Sequence, residues 1–238
     1  VTEILDTIHF GAILVDDIAD RSELRKGRVA VHHIYGSTET INRAYLVIFK
    51  TLVKCQKESP RLVPFVLEAL TEIHQGQDDS LVWRRDGFVL PEDRETALGA
   101  YQSCASLKTG ALFRLVGQLL TGSHDMDELM TDYGWYCQLQ NDCKNVFSKD
   151  VIAGKGTLAE DLLNGEYTYP IMLVCMLPRR FEPRFLRKKV HSKKEVSDAV
   201  NALQCNEVRD ACLRELASVS ARNERFAALW GREETMAI

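Results

Sequence analysis

Three carboxylates and two cations lie close together near the start of this chain. Asp16, Asp17 and Asp20 follow the apolar run Ile13-Leu14-Val15, and Arg25 and Lys26 come next, closed by Gly27. If Thr2 to Ala19 is one helix, Asp16 and Asp20 form an i, i+4 pair on one face, about 6 Å apart along the axis. Carboxylates that close repel each other unless a cation stands between them, and hard oxygen ligands suit Mg²⁺. Mg²⁺ is usually held by one or two carboxylates plus substrate phosphates, which gives the basic pair a use. An acidic helix end running into a charged loop is the plainer alternative.

A second polar group falls about 120 residues later, in Gln138-Leu139-Gln140-Asn141-Asp142-Cys143-Lys144-Asn145. Asn141 and Asn145 are again an i, i+4 pair, with Asp142 beside them and Gln138 one turn earlier. Buried unpaired, these side chains would be costly, and a metal–phosphate cluster would satisfy them. A polar face turned to solvent would do so too.

The elements that must carry these groups read as helices. Ile4, Leu5, Ile8, Ile13 and Leu14 recur at helical spacing. Residues 21–36 lack periodicity and form a loop, in which Val29 to Tyr35 is the one β-leaning run. Helices are expected over 38–57, from 63 to 74 with Gly76 as the stop, 92–104, 107–120 and 126–147. A loop over 151–156, two short helices around 158–164 and 169–177, and amphipathic helices over 196–203 and 208–229 complete the chain. The expectation is a single all-α domain spanning residues 1–238.

Composition narrows the function classes. The 238 residues are 45% hydrophobic, enough for a sizeable core, and carry a net charge of −4. That balance argues against a nucleic-acid partner. Seven scattered cysteines without a C-x-x-C pair fit a reducing, cytoplasmic setting and no structural zinc. Cys104, Cys137 and Cys143 read as small core residues. No apolar run is long enough for a membrane span. The basic stretch 179–194 reads as a solvated connection between helices, with an anionic membrane surface as the alternative. The chain opens with Val1 inside a helical pattern, and an N-terminal part is expected to be missing.

Taken in order, the motifs resemble the trans-isoprenyl diphosphate synthases, and within them the geranylgeranyl diphosphate synthases of fungi and animals. The resemblance runs through Asp16–Asp20 with its basic pair, His32 and the following Ile-Tyr-Gly, His74-Gln75-Gly76-Gln77 and Trp83-Arg84-Arg85-Asp86. It continues through Lys108-Thr109-Gly110, Gln138–Asn145, and Glu160-Asp161-Leu162 with Gly165 and Pro170, covering roughly residues 1–175. It implies the class I isoprenoid synthase fold, a helical bundle around a central apolar cavity with two metal motifs facing each other at its mouth. It also implies three Mg²⁺ ions, an allylic prenyl diphosphate such as farnesyl diphosphate as substrate, and room for a homodimer. Carried over residue by residue, Asp16, Asp17 and Asp20 would bind metal on one wall. Asp142 with Asn141 and Asn145 would do so on the other. Arg25, Lys26 and Lys108 would hold diphosphate oxygens, and Gln77 and Gln138 would line the upper cavity. Gly11 and Ala12, one turn before Asp16, would leave room at the cavity wall.

The departures cluster at the second wall. Asn141 stands where the family has aspartate, and an amide is a weaker, uncharged ligand. An Asn-Asp opening also resembles the metal motif of class I terpene cyclases, although Asn145 and Lys149 do not complete that motif. Asn164-Gly165-Glu166 replaces a Glu-Gly-Lys segment, a charge reversal that would repel a diphosphate. Lys155 lies one residue from the family's other lysine, and Ser80 stands where aspartate is frequent. These changes favour a terpene cyclase that ionises a C15 or longer diphosphate. The alternatives are a chain-elongating prenyl diphosphate synthase and a non-catalytic regulatory subunit of one.

Overall fold

The computed structural model describes residues 1–91, 93–148, 160–177, 184–187 and 192–229. Helix α1 (Thr2–Ala19) buries Ile8, Gly11, Leu14 and Asp17. It packs along α3 (Ser37–Glu58), whose buried face carries Thr40, Ala44, Ile48 and Cys55. Between them come a short antiparallel hairpin, β1 (Leu24–Arg25) with β2 (Arg28–Val29), and one helical turn, α2 (Val31–Tyr35). Residues 21–36 are therefore structured, where a loop was expected. Lys26 and Gly27 both sit at positive φ, 51° and 74°, as a two-residue hairpin turn of the primed kind requires. Five of the seven residues in the β-leaning run are helical.

Helix α4 (Val63–Asp86) passes straight through Gly76, the residue expected to end it. Glycine is there for proximity. A Cβ at position 76 would lie 2.8 Å from Leu107 Cβ and 2.8 Å from Lys108 Cγ. Those contacts belong to a π-helical turn, Ser106–Gly110, that joins α5 (Arg94–Ala105) to α6 (Ala111–Thr121). Such turns insert a residue into a helix and recur at functional sites. Helix α7 (Asp127–Phe147) matches the expected span closely. Then come α8 (Glu160–Asn164), α9 (Tyr169–Cys175), α10 (Arg184–Arg187), α11 (Lys193–Leu203) and α12 (Asn206–Leu229).

Two apolar clusters hold the helices. Ile8, Cys55, Leu62, Val66, Ala69, Leu115 and Leu119 join α1, α3, α4 and α6. A larger cluster centres on Tyr101, Trp135, Leu139, Val146, Tyr169, Met172 and Val219, from α5, α7, α9 and α12. Cys104 and Cys143 are buried, Cys137 is half-buried, and all three are free thiols. No helix among the described residues is long and apolar enough to cross a membrane. Lys149, Lys155, the 151–156 loop and most of the 179–194 basic stretch lie outside the described residues.

Candidate active site

The site begins where α1 ends. Asp16 is half-exposed and accepts a hydrogen bond of 3.2 Å from Gln77 Nε2 of α4. Asp20 accepts one of 2.6 Å from Arg84 Nη1, also on α4. The rest of that guanidinium donates to Ala19 O at 3.2 Å and to Asn164 O at 3.1 Å, so Arg84 ties α1, α4 and the end of α8 together. Burial, and then the charge of Asp16, push the Asp20 carboxyl up to about 6 against the pull of Arg84 and Lys108.

Asp17 does not share that face. It is 2% exposed, and Arg25 seals it, donating from Nε at 2.8 Å and from Nη2 to the same oxygen. The two residues assigned to metal and diphosphate therefore satisfy each other, although Arg25 Nη2 also stands 4.0 Å from Asp16. Lys26 is exposed at the hairpin tip and borders an open groove with Asp6, His9, Phe10 and Ile13. Gly11 does not widen a cavity wall, because a methyl group there would meet Ile48 Cδ1 at 2.8 Å. It lets α1 lie close against α3, and Ala12 beside it is half-buried.

Lys108 reaches the site from the π turn. Its ammonium has no hydrogen bond or ion pair among the described residues. Burial works against its charge, but Asp16, Glu166 and Asp20 outweigh burial and raise its pKa above the usual lysine value. Beside it lies a cavity of about 40 Å³, lined among others by Ser80, Tyr101, Lys108, Gln138, Glu166 and Thr168. That is room for a bound water or small ion, not for a prenyl chain.

The second wall differs most from the expected pattern. Asp142 is 1% exposed, and both its oxygens are engaged. It accepts from Tyr101 OH at 2.5 Å, from Gln138 Nε2 at 2.7 Å and from Tyr169 N at 3.0 Å. Burial pushes its carboxyl up to about 6, even though the Tyr101, Tyr169 and Gln138 hydrogen bonds pull it down. Asn141 points into solvent. Asn145 is 2% exposed, with both amide atoms unpartnered among the described residues. Gln138 bridges inward, accepting from Thr109 Oγ1 at 2.5 Å. Asp142 and Gln138 thus anchor α7 to α5, α9 and the π turn, while Asn141 and Asn145 flank that anchor.

Among the described residues no three His, Cys, Asp or Glu side chains converge as a complete metal site. What fits a hard divalent cation is the Asp16/Asp20 pair. Two carboxylates share one face, Asp16 raises the pKa of Asp20, and a cation between them would remove that repulsion. Two protein carboxylates plus ligand phosphates is a common Mg²⁺ set. Arg84 and Tyr101 were not among the expected site residues. Arg84 stands in the Trp83–Asp86 motif without a site role assigned to it, and Tyr101 lies 41 residues from the carboxylate it meets. Neither pairing leaves a local signal.

Residues 1–205 match the family model described as Polyprenyl synthetase. Two fungal relatives are each 46% identical along 99% of this chain. They are the prenyl transferase nodC of Hypoxylon pulicicidum, with 72% of its length covered, and the prenyltransferase terC of Tolypocladium album, with 71%. A crystal structure of a polyprenyl synthase from Caulobacter crescentus CB15, complexed with calcium and isoprenyl diphosphate, shares the fold. Its TM-score is 0.76 at 22% identity, over 95% of this chain and 70% of that one. With a match across most of its length and prenyl transferases among its near relatives, the chain belongs to the polyprenyl synthetase family, the trans-isoprenyl diphosphate synthases.

Proposed function

We propose that this protein is a chain-elongating prenyl transferase that joins an allylic prenyl diphosphate to isopentenyl diphosphate. This replaces the terpene cyclisation that the altered second motif favoured. The observation that carries it is identity of 46% along 99% of the chain to proteins named as prenyl transferases. The substituted asparagines weigh less, because Asn141 lies outside the carboxylate cluster and Asp142 is an internal anchor.

In this reading Asp16 and Asp20 would hold Mg²⁺, with Gln77 and Arg84 fixing the orientation of the two carboxylates. Bound there, Mg²⁺ would neutralise charge on the departing diphosphate. The Lys108 ammonium, free of any protein partner among the described residues, binds a diphosphate oxygen and supplies fixed positive charge on the leaving side. The allylic C–O bond breaks, and the isopentenyl double bond attacks the resulting cation. A new C–C bond forms, and a proton is lost to give a longer allylic diphosphate.

The test is incubation with Mg²⁺ and farnesyl diphosphate, with and without isopentenyl diphosphate. A longer prenyl diphosphate formed only with both substrates is the expected result. Hydrocarbon from farnesyl diphosphate alone would overturn the assignment in favour of cyclisation. Turnover only after a second synthase is added would make the chain a regulatory subunit.

A further inference from the structure

Lys108 sits inside the π turn Ser106–Gly110, so where its ammonium reaches depends on how that turn is held. Arg114, one turn into α6, reaches back over it. Its Nη1 donates to Ser106 Oγ at 3.1 Å and to Thr131 Oγ1 of α7 at 2.9 Å. Its Nη2 donates to Glu72 Oε2 of α4 at 2.8 Å and to Ser106 O at 3.3 Å. The Ser106 carbonyl is also the acceptor for Ala111 N, the wide hydrogen bond that makes this a π turn. Only 12% of the Arg114 side chain is exposed. Leaving a buried guanidinium unpaired would be costly, and here its donors are engaged by α4, the π turn and α7 together.

Two glycines fit this arrangement. A Cβ at Gly110, which closes the turn, would lie 3.1 Å from Arg114 Nη1, so glycine keeps space for the guanidinium. Glu72 stands one helical turn before Gly76, where a Cβ would lie 2.9 Å from Lys108 N. The guanidinium therefore clamps the start of the π turn to the same helix against which the Lys108 backbone rests. We propose that Arg114 is a positioning residue: it locks the π turn to α4 and α7 and thereby fixes where Lys108 presents its ammonium to a diphosphate. The inference rests on the reading of Lys108 as a diphosphate-binding residue. Arg114 does not line the cavity beside Lys108, so its influence passes through the turn. Lysine at position 114 would keep the charge but could not span acceptors on three elements with one ammonium.

The test is calorimetric titration of the full chain with inorganic diphosphate in the presence of Mg²⁺. Arg114→Met, Arg114→Lys and Glu72→Gln are each made in the wild-type and the Lys108→Met backgrounds. Where Lys108 is present, both Arg114 variants are expected to weaken binding about tenfold and Glu72→Gln about threefold. Where it is absent, each should cost less than about twofold. Amide exchange over residues 106–110 should quicken in both Arg114 variants, and unchanged exchange there overturns the inference. A residue that only stabilised the fold would weaken both backgrounds equally. That result, or wild-type affinity in a folded Arg114 variant, also overturns it. If an Arg114 variant fails to fold, Glu72→Gln decides the point by the same comparison. Lys108→Met binding diphosphate as wild type does, or no binding by wild type, would instead refute the diphosphate-site reading.

Discussion

Asp17 and Asp142 are aspartates that the fold has withdrawn from solvent and committed to internal partners, Arg25 for one and Tyr101, Gln138 and Tyr169 for the other. In the proposed reading Asp16 and Asp20 carry the metal chemistry, so Asp16→Ala is expected to abolish diphosphate release from the allylic substrate in a turnover assay. Retained activity would refute its role. Asp142 makes a different prediction. Its carboxyl is raised from 3.8 to about 6 in the folded chain. A carboxyl raised by folding favours the native state when protonated. Its contribution is therefore complete below pH 3.8 and is lost as the pH climbs through about 6. For metal-free protein in urea, this residue should account for about 3 kcal/mol of stability lost across that window. Asp142→Asn should flatten that slope whatever it does to absolute stability, and an unchanged slope would refute the shift. Asp20 is raised to about 6 as well and moves stability in the same direction, which is why the comparison is between slopes.

At the scale of elements, the approach of α4 to the π turn positions the site. Gly76 allows it, and Cys104 Sγ donates to Gly76 O at 3.3 Å across the same contact. Gly76→Ala would set a methyl group 2.9 Å from Lys108 N, a backbone atom that cannot swing aside. The expected loss is about 2 kcal/mol in chemical denaturation, with weaker diphosphate binding as Lys108 shifts. Gly99→Ala on α5 is the control. Nothing lies within 4 Å of a Cβ there, and the helix should gain about 0.5–1 kcal/mol. The helices themselves were legible from apolar spacing, as in α7, where the expected start differs by a single residue. What misled was punctuation. Glycine at 76 reads as a stop when only one helix is considered, and its packing partner thirty residues away carries no local mark. The hairpin was missed for the opposite reason, since two residues per strand are too few to show an alternating pattern.

For the whole molecule, Arg84 ties three separate pieces of chain. Its guanidinium meets a carboxylate and a carbonyl at the end of α1 and a carbonyl at the end of α8, with 16% of its side chain exposed. Arg84→Met would leave Asp20 and two carbonyls unpaired. The expected cost is about 3 kcal/mol, together with faster amide exchange around residues 160–164. Wild-type exchange there would refute the clamp. By itself the sequence determined the helical class, the family and the identity of the α1 aspartates, because helical period and motif spacing are local properties of the chain. Tertiary structure decided which of those groups remain available. Whether a carboxylate meets Arg25, Tyr101 or open solvent depends on which helices cross beside it. So Asp16 stays half-exposed beside Gln77 and Asp20 is paired with Arg84, Asp17 and Asp142 are sealed by internal partners, and Lys108 and Glu166 line one cavity that neither residue's neighbours in sequence announce.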